Sequence, residues 1–241
     1  MISEKNFIKK YQLFWKTLFP MSKHFLTRVK LYCDKNNTEF NFKTHNLRWS
    51  FVSEIAFMIF VDQTKNLSLK MNKNLYEEYK LGSISYGNIE NKCKNKFILF
   101  DNVNRMPKSL DEDEYNDAIK LAMLMNNHFD SKNELTTMPY FKGCGFIDEC
   151  FGDVIMGETL YEIKSVSGNF IMEHFKQVFV YFALNYISKN YSLKNIAIYN
   201  PRKDLCFKIP VQEFAVIIAG KSYVDLISDF ERFVTTEYSS K

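Results

Sequence analysis

The sequence predicts an α/β fold, short strands layered with helices. Three observations lead there. Apolar residues recur at helical spacing at both ends of the chain. Five of the eight glycines (143, 145, 152, 157 and 168) punctuate short apolar runs, and a long helical pattern then precedes two more strand-like runs. Strands with helices on their faces bury both kinds of element around a common core.

Taken in order, residues 4–34 read as helix. Phe7, Tyr11, Phe14, Trp15 and Leu18 share a helical period, Pro20 interrupts it, and Phe25, Val29 and Tyr32 resume it. Residues 36–46 are polar and turn-like. Leu47 to Phe60 reads as a largely apolar helix with Glu54 inside it. Residues 64–95 are rich in Asn and Lys and weakly patterned, and Lys96–Phe100 reads as a short strand. The acidic run Ser109–Glu114 suits the positive end of a helix continuing from about Tyr115 to Phe129.

The runs Cys144–Cys150, Asp153–Met156 and Leu160–Val166, separated by glycine turns, read as a three-stranded antiparallel meander. A helix follows over Ile171–Ser188, then strands Asn195–Tyr199 and Leu205–Ile209 about the turn at Asn200–Asp204. Helices Val211–Ala219 and Tyr223–Val234 close the chain, with Gly220 as the stop between them. This divides the chain into a basic helical N-terminal extension, 1–44, and a domain over 45–241.

Composition bounds the function. With 241 residues, 46% hydrophobic, 23 Phe and 14 Tyr, the chain is a folded protein and not a disordered tail. Eight Gly and five Pro exclude a collagen-like fibre. No apolar run reaches the roughly 18 residues of a membrane span. Val178 to Ile187 is broken by Asn185, and Lys9, Lys10 and Lys16 interrupt the apolar residues at the N-terminus. A cytoplasmic protein with no membrane partner is expected, its five Cys reduced. Charge is uneven: residues 1–50 carry ten Lys/Arg against three Asp/Glu, and residues 101–150 five against ten. The basic N-terminus suits a polyanion or, more plainly, a solvated helix face.

The segment from Gly143 to Lys164 carries the chemistry. With a two-residue turn at Gly157-Glu158, Met156 faces Thr159, Ile155 faces Leu160, Val154 faces Tyr161 and Asp153 faces Glu162. Residues opposed on antiparallel strands share a face, and Lys164, two beyond Glu162, shares it too. Two adjacent carboxylates repel unless something positive lies between them. A hard dication with oxygen ligands such as Mg²⁺ satisfies that need, and Lys164 can hold or deprotonate a water beside it. This is equipment for hydrolysing a phosphodiester.

Asp153 followed by Glu162-Ile163-Lys164 after a hairpin resembles the D…(D/E)xK signature of the PD-(D/E)XK nuclease superfamily. Gln177 and Tyr181, at i and i+4 on the next helix, resemble the QxxxY motif of its RecB-like branch. Gly145-Phe146-Ile147-Asp148 is similar to that branch's glycine–hydrophobic–hydrophobic–aspartate motif. The resemblance covers about residues 143–210. It implies a restriction-endonuclease-like αβββαβ core with a mixed central sheet flanked by helices. Asp153 and Glu162 would ligate Mg²⁺ or Mn²⁺, with the Ile163 carbonyl as a further ligand. Lys164 would position the attacking water, and Gln177 and Tyr181 would orient the lysine or a DNA phosphate.

A glutamate on the first core helix completes the metal shell in many members, and Glu54 is the candidate here. In RecB-like members the motif aspartate is often the ligand, which would be Asp148; the pairing register favours Asp153. With only Cys206 after residue 150, no iron–sulfur cluster is expected. His174, on the Gln177 face, reads as a helix-surface group, and Cys144 and Cys150 as buried thiols on one strand face. The expected activity is a Mg²⁺-dependent deoxyribonuclease acting on DNA. A defence or DNA-processing complex is its expected setting, with an ATPase or helicase partner or self-association. The alternative is a catalytically silent nuclease-like fold that binds nucleic acid or scaffolds an assembly.

Overall fold

The computed structural model describes residues 1–36, 38, 40–44, 48–65, 79–100, 108–129 and 134–239. The chain divides into two compact units. Met1–Thr38 and Lys132–Lys241 form a sheet unit, and Glu39–Ser131 forms a helical unit. The expected boundary at 44/45 is therefore displaced, and the N-terminal helices belong to the sheet unit instead of extending from it.

The reason is aromatic packing. The expected long helix is broken at Tyr11 and Pro20 into α1 (Glu4–Lys10), α2 (Gln12–Leu18) and α3 (Ser22–Asn36). Phe7 is fully buried, and its ring lies 5.2 Å from Trp15, 5.8 Å from Phe146 and 5.9 Å from Phe230. Phe25 meets Phe175 edge-on at 4.8 Å. Each such pair adds about 0.5–1.5 kcal/mol beyond its buried area.

In the helical unit, α4 (Trp49–Lys65) packs on α5 (Ile84–Phe100) and α6 (Glu112–Phe129). Val52, Ile55, Ala56 and Ile59 are fully buried on α4, as are Ala118, Leu121 and Ala122 on α6. Lys96–Phe100, expected as a strand, is the last part of α5: its apolar run continues a helical turn pattern begun at Tyr86, Ile89 and Cys93, all buried. The acidic start of α6 forms a reciprocal cap. Asp111 Oδ1 accepts the Glu114 N–H at 2.9 Å, and Glu114 Oε2 accepts the Asp111 N–H at 3.2 Å.

The sheet unit's strands are β1 (Leu135–Thr137), β2 (Tyr140–Phe141), β3 (Cys150–Phe151), β4 (Val154–Met156), β5 (Thr159–Ile163), β6 (Asn195–Asn200) and β7 (Leu205–Pro210). Its helices after β5 are α7 (Met172–Ser188), α8 (Val211–Ala219) and α9 (Tyr223–Ser239). Five strands form one mixed sheet in the order β1-β4-β5-β6-β7, with β5 and β6 parallel and the other pairs antiparallel. α7 makes the crossover between the parallel strands and packs on both. α3 and α8 pack on β7.

The hairpin register is the expected one: Met156 opposite Thr159, Ile155 opposite Leu160 and Val154 opposite Tyr161. Gly157 takes φ 55, which its turn position requires. One apolar row runs across the sheet through Ile155, Leu160, Ile196 and Ile209, all in the core shared with α7.

The strand beside β4 is β1, not the expected run Cys144–Cys150. That run turns back on itself, with Cys144 bridged to Ile147, and Ile2 lies alongside Ile147. Gly145 sits at φ 57 where an added Cβ would come 2.1 Å from the Val234 carbonyl oxygen. Close backbone approach therefore replaces strand geometry there. Cys144 and Cys150 do not share a strand, although Cys150 is buried and all five cysteines are free thiols. No helix among the described residues is long and apolar enough to cross a membrane.

Candidate active site

Glu162 lies on β5 two residues beyond Leu160, so it extends the sheet face that α7 covers. Its row continues through Ile198 to Phe207. Asp153, one step before β4, falls opposite it in the hairpin register. Asp153 Oδ2 accepts the Ile163 N–H at 2.7 Å, which ties its carboxylate to the end of β5.

A continuous polar chain starts there. Lys164 Nζ is 2.6 Å from Glu162 Oε1 and donates to Gln177 Oε1 at 2.8 Å. Gln177 Nε2 donates to the Tyr181 hydroxyl at 2.8 Å, and that hydroxyl donates to Glu4 Oε1 at 3.2 Å. Gln177 and Tyr181 meet because they stand one turn apart on α7. Phe141 stacks on the Tyr181 ring at 5.6 Å and fixes its position.

Glu162 is 3% exposed, and its second oxygen, Oε2, is buried with no hydrogen-bond partner. An unsatisfied buried carboxylate oxygen is costly and calls for a partner. The electrostatics converge on the same place. Burial alone would lower the Lys164 pKa, but Glu162, Asp153 and Glu4 outweigh it and raise it. The Tyr181 pKa is well above its ordinary value, through burial first and then Glu162, Glu4 and Asp153. The Cys150 thiol is pushed up by burial, then by Glu4 and Glu162.

The structure thus brings together Asp153, Glu162, Ile163, Lys164, Gln177 and Tyr181 from the residues expected on sequence. Glu54 stands on α4 of the helical unit, where Lys96 Nζ takes its carboxylate at 2.5 Å. The helix-borne glutamate of the network is Glu4 instead, on α1. Sequence reasoning missed it, because an acid just after the N-cap Ser3 reads as an ordinary complement to the helix dipole. Asp148 lies in the turned-back loop, its N–H bonded to the Ile2 carbonyl, and Asp153 is the aspartate acting on Lys164.

His174, expected at the helix surface, is buried at 9% exposure. Its Nδ1 faces the Ile171 N–H at 3.4 Å. Burial, then the Lys164 charge, lowers its pKa to about 3, so it is neutral at physiological pH.

The described residues hold no group of three or more His, Cys, Asp or Glu side chains arranged to bind a metal ion. Lys164, clamped between Glu162 and Gln177, supplies the positive charge of the network. Comparison with family models, with curated proteins and with solved structures finds no match.

Proposed function

We propose that the chain is a metal-dependent nuclease hydrolysing DNA phosphodiester bonds. The observation that carries the reading is the buried, unpartnered Glu162 Oε2 beside Asp153 and Lys164. Order of elements supports it as well. A helix bearing Glu4, three antiparallel strands β1, β4 and β5, the helix α7 and the parallel strand β6 follow the αβββαβ succession, with the helical unit inserted between α3 and β1.

The described residues are not arranged as a metal-binding group, but the oxygen chemistry of this cluster would suit a hard dication. Asp153, Glu162 and Glu4, which all act on Lys164, would offer carboxylate oxygens, and the Ile163 carbonyl would be the further donor that the resemblance implies. An oxygen-only set suits Mg²⁺ or Mn²⁺. Such an ion, held there, would supply stabilisation of charge on the phosphoryl oxygens and a more acidic water.

The chain's own groups do the rest. Lys164 donates to the attacking water or a phosphate oxygen from a position set by Glu162 and Gln177. Gln177 holds that ammonium, and Tyr181 holds Gln177 in the one amide orientation that accepts from Lys164. Phe141 and the α7 core keep bulk water from the back of the site.

The test is cleavage of plasmid and linear DNA by the full chain with Mg²⁺, Mn²⁺ or EDTA, beside Lys164→Ala and Asp153→Ala. Metal-dependent cutting lost in both variants is expected. Equal cutting by Lys164→Ala would overturn the assignment. The second reading is a silent nuclease-like fold, favoured by the Lys164–Glu162 pair occupying the carboxylate. Calorimetric Mn²⁺ binding removed by Asp153→Ala speaks against it; absent binding and cutting would establish it.

A further inference from the structure

The outer surface of α1–α3 is strongly basic in a way the rest of the sheet unit is not. Eight Lys and Arg side chains on these helices are exposed, Lys5, Lys9, Lys16, Lys23, Arg28 and Lys30 among them, against Asp34 as the single exposed acid of residues 1–36. None of the eight forms an ion pair among the described residues. Elsewhere in the unit exposed cations are offset by acids: Lys194 pairs with Glu158 at 2.8 Å, Lys221 and Arg232 pair with Asp229, each at 2.7 Å, and, among the described residues, the exposed acids Glu134, Glu149, Glu173 and Glu213 accompany the unpaired Lys142, Lys189 and Lys208. Unpaired, solvated lysines are what a phosphate backbone recruits, by releasing its condensed counterions.

The basic helices begin beside the site. Glu4, which closes the polar network, is the residue before Lys5, and Lys9 stands one turn further on the same face of α1. The other acid of residues 1–36, Glu4, is turned inward and buried, so the outward charge is left uncompensated. α1 packs on α7, the helix that carries Gln177 and Tyr181.

We propose that the exposed face of α1–α3 is the track on which the phosphate backbone of DNA lies, leading it to Glu4 at the start of α1 and, through it, to Asp153 and Glu162. Phosphate contacts position a duplex without reading its sequence. This rests on the proposed nuclease reading and adds the substrate-binding surface to it.

The experiment measures binding apart from cutting. The full chain carrying Lys164→Ala is titrated in EDTA onto a short labelled duplex, by anisotropy, across a salt series. The combined Lys9→Ala, Lys16→Ala and Lys23→Ala variant is expected to bind at least about tenfold more weakly. Its slope of log K against log salt should be shallower by about 2.7, at about 0.9 per lost phosphate contact. The combined Lys194→Ala, Lys208→Ala and Lys221→Ala control should match the parent.

An unchanged slope in the first variant overturns the proposal, as does the absence of any DNA binding. Lysine-dependent capture by vesicles of phosphatidylserine and phosphatidylcholine, without DNA binding, overturns it in favour of a membrane surface. Lysine-dependent DNA binding with no cutting under any metal leaves this surface standing and strikes the nuclease reading alone. Cutting that survives loss of the three lysines at every salt concentration does the reverse.

Discussion

The helical unit and the sheet unit both bury carboxylates, and the difference lies in how those carboxylates are satisfied. In the helical unit, Asp117 Oδ2 accepts from the Lys43 N–H, the Thr44 N–H and the Thr44 hydroxyl at 2.7–2.8 Å. Glu114 takes two Arg48 nitrogens, each at 2.8 Å. Glu90 accepts from Lys94, Ser109, Tyr86 and the Leu110 N–H. In the sheet unit, Glu162 Oε2 has nothing, and three carboxylates press on one lysine. A saturated acid holds a loop to a helix. An unsaturated, crowded one is a place where a ligand lowers the energy.

The contrast is tested most severely at Lys164. Lys164→Ala should lower cleavage per folded molecule by about 10³-fold or more, a magnitude typical of groups acting on developing charge, with circular dichroism showing the fold retained and thermal unfolding lowered by the loss of the buried Glu162 partner. A variant that cuts normally would place both units in the structural class. Glu4→Gln should lower cutting and Mn²⁺ affinity by about 10–100-fold, the usual effect of losing a supporting group at a metal site. Glu54→Gln should change cutting less than about twofold by the same assay. The reverse ranking would return the helix-borne ligand to α4.

Asp117→Ala should affect stability alone. Three donors lose a charged acceptor, so urea unfolding should show a loss of about 2–4 kcal/mol, with cleavage per folded molecule unchanged. A smaller effect follows from His174. Its folded pKa, about 3, lies below the ordinary 6.5, so the unfolded chain takes the proton first as pH falls. Stability is unaffected above that range and declines from pH 6.5 towards 3, by about 2 kcal/mol at pH 5. His174→Gln should flatten this decline in denaturant melts at a series of pH values. An equal slope in both proteins would mean the imidazole is not held neutral.

Much of the sheet unit was legible because its signals are local. The Gly157-Glu158 turn sets a two-residue hairpin, and the hairpin alone places Asp153 opposite Glu162. The i,i+4 spacing puts Gln177 beside Tyr181 on any helix. The α8 range and the Gly220 stop, at φ 66, follow from helical periodicity and a residue free to turn left-handed.

Other features resisted reading for physical reasons. Glycine-flanked apolar residues at 144–150 fit a strand equally well until the approach of Val234 excludes a Cβ at Gly145. The run Lys96–Phe100 is too short to show whether its period is two or 3.6. The strand β1, three residues long, carries too little pattern to announce itself.

Sequence by itself determined the α/β class, the strand–turn–strand that carries Asp153, Glu162 and Lys164, and the helix face that receives the lysine. Those depend on neighbours within about twenty residues, where backbone geometry leaves few choices. Tertiary structure decided which distant residue completes the cluster and which carboxylate stays unsatisfied. Glu4 and Tyr181 are 177 positions apart and meet only because Phe7 and Trp15 bury α1 and α2 in the core shared with α7. Whether a buried oxygen finds a donor is settled by packing in three dimensions, which no spacing in the chain records.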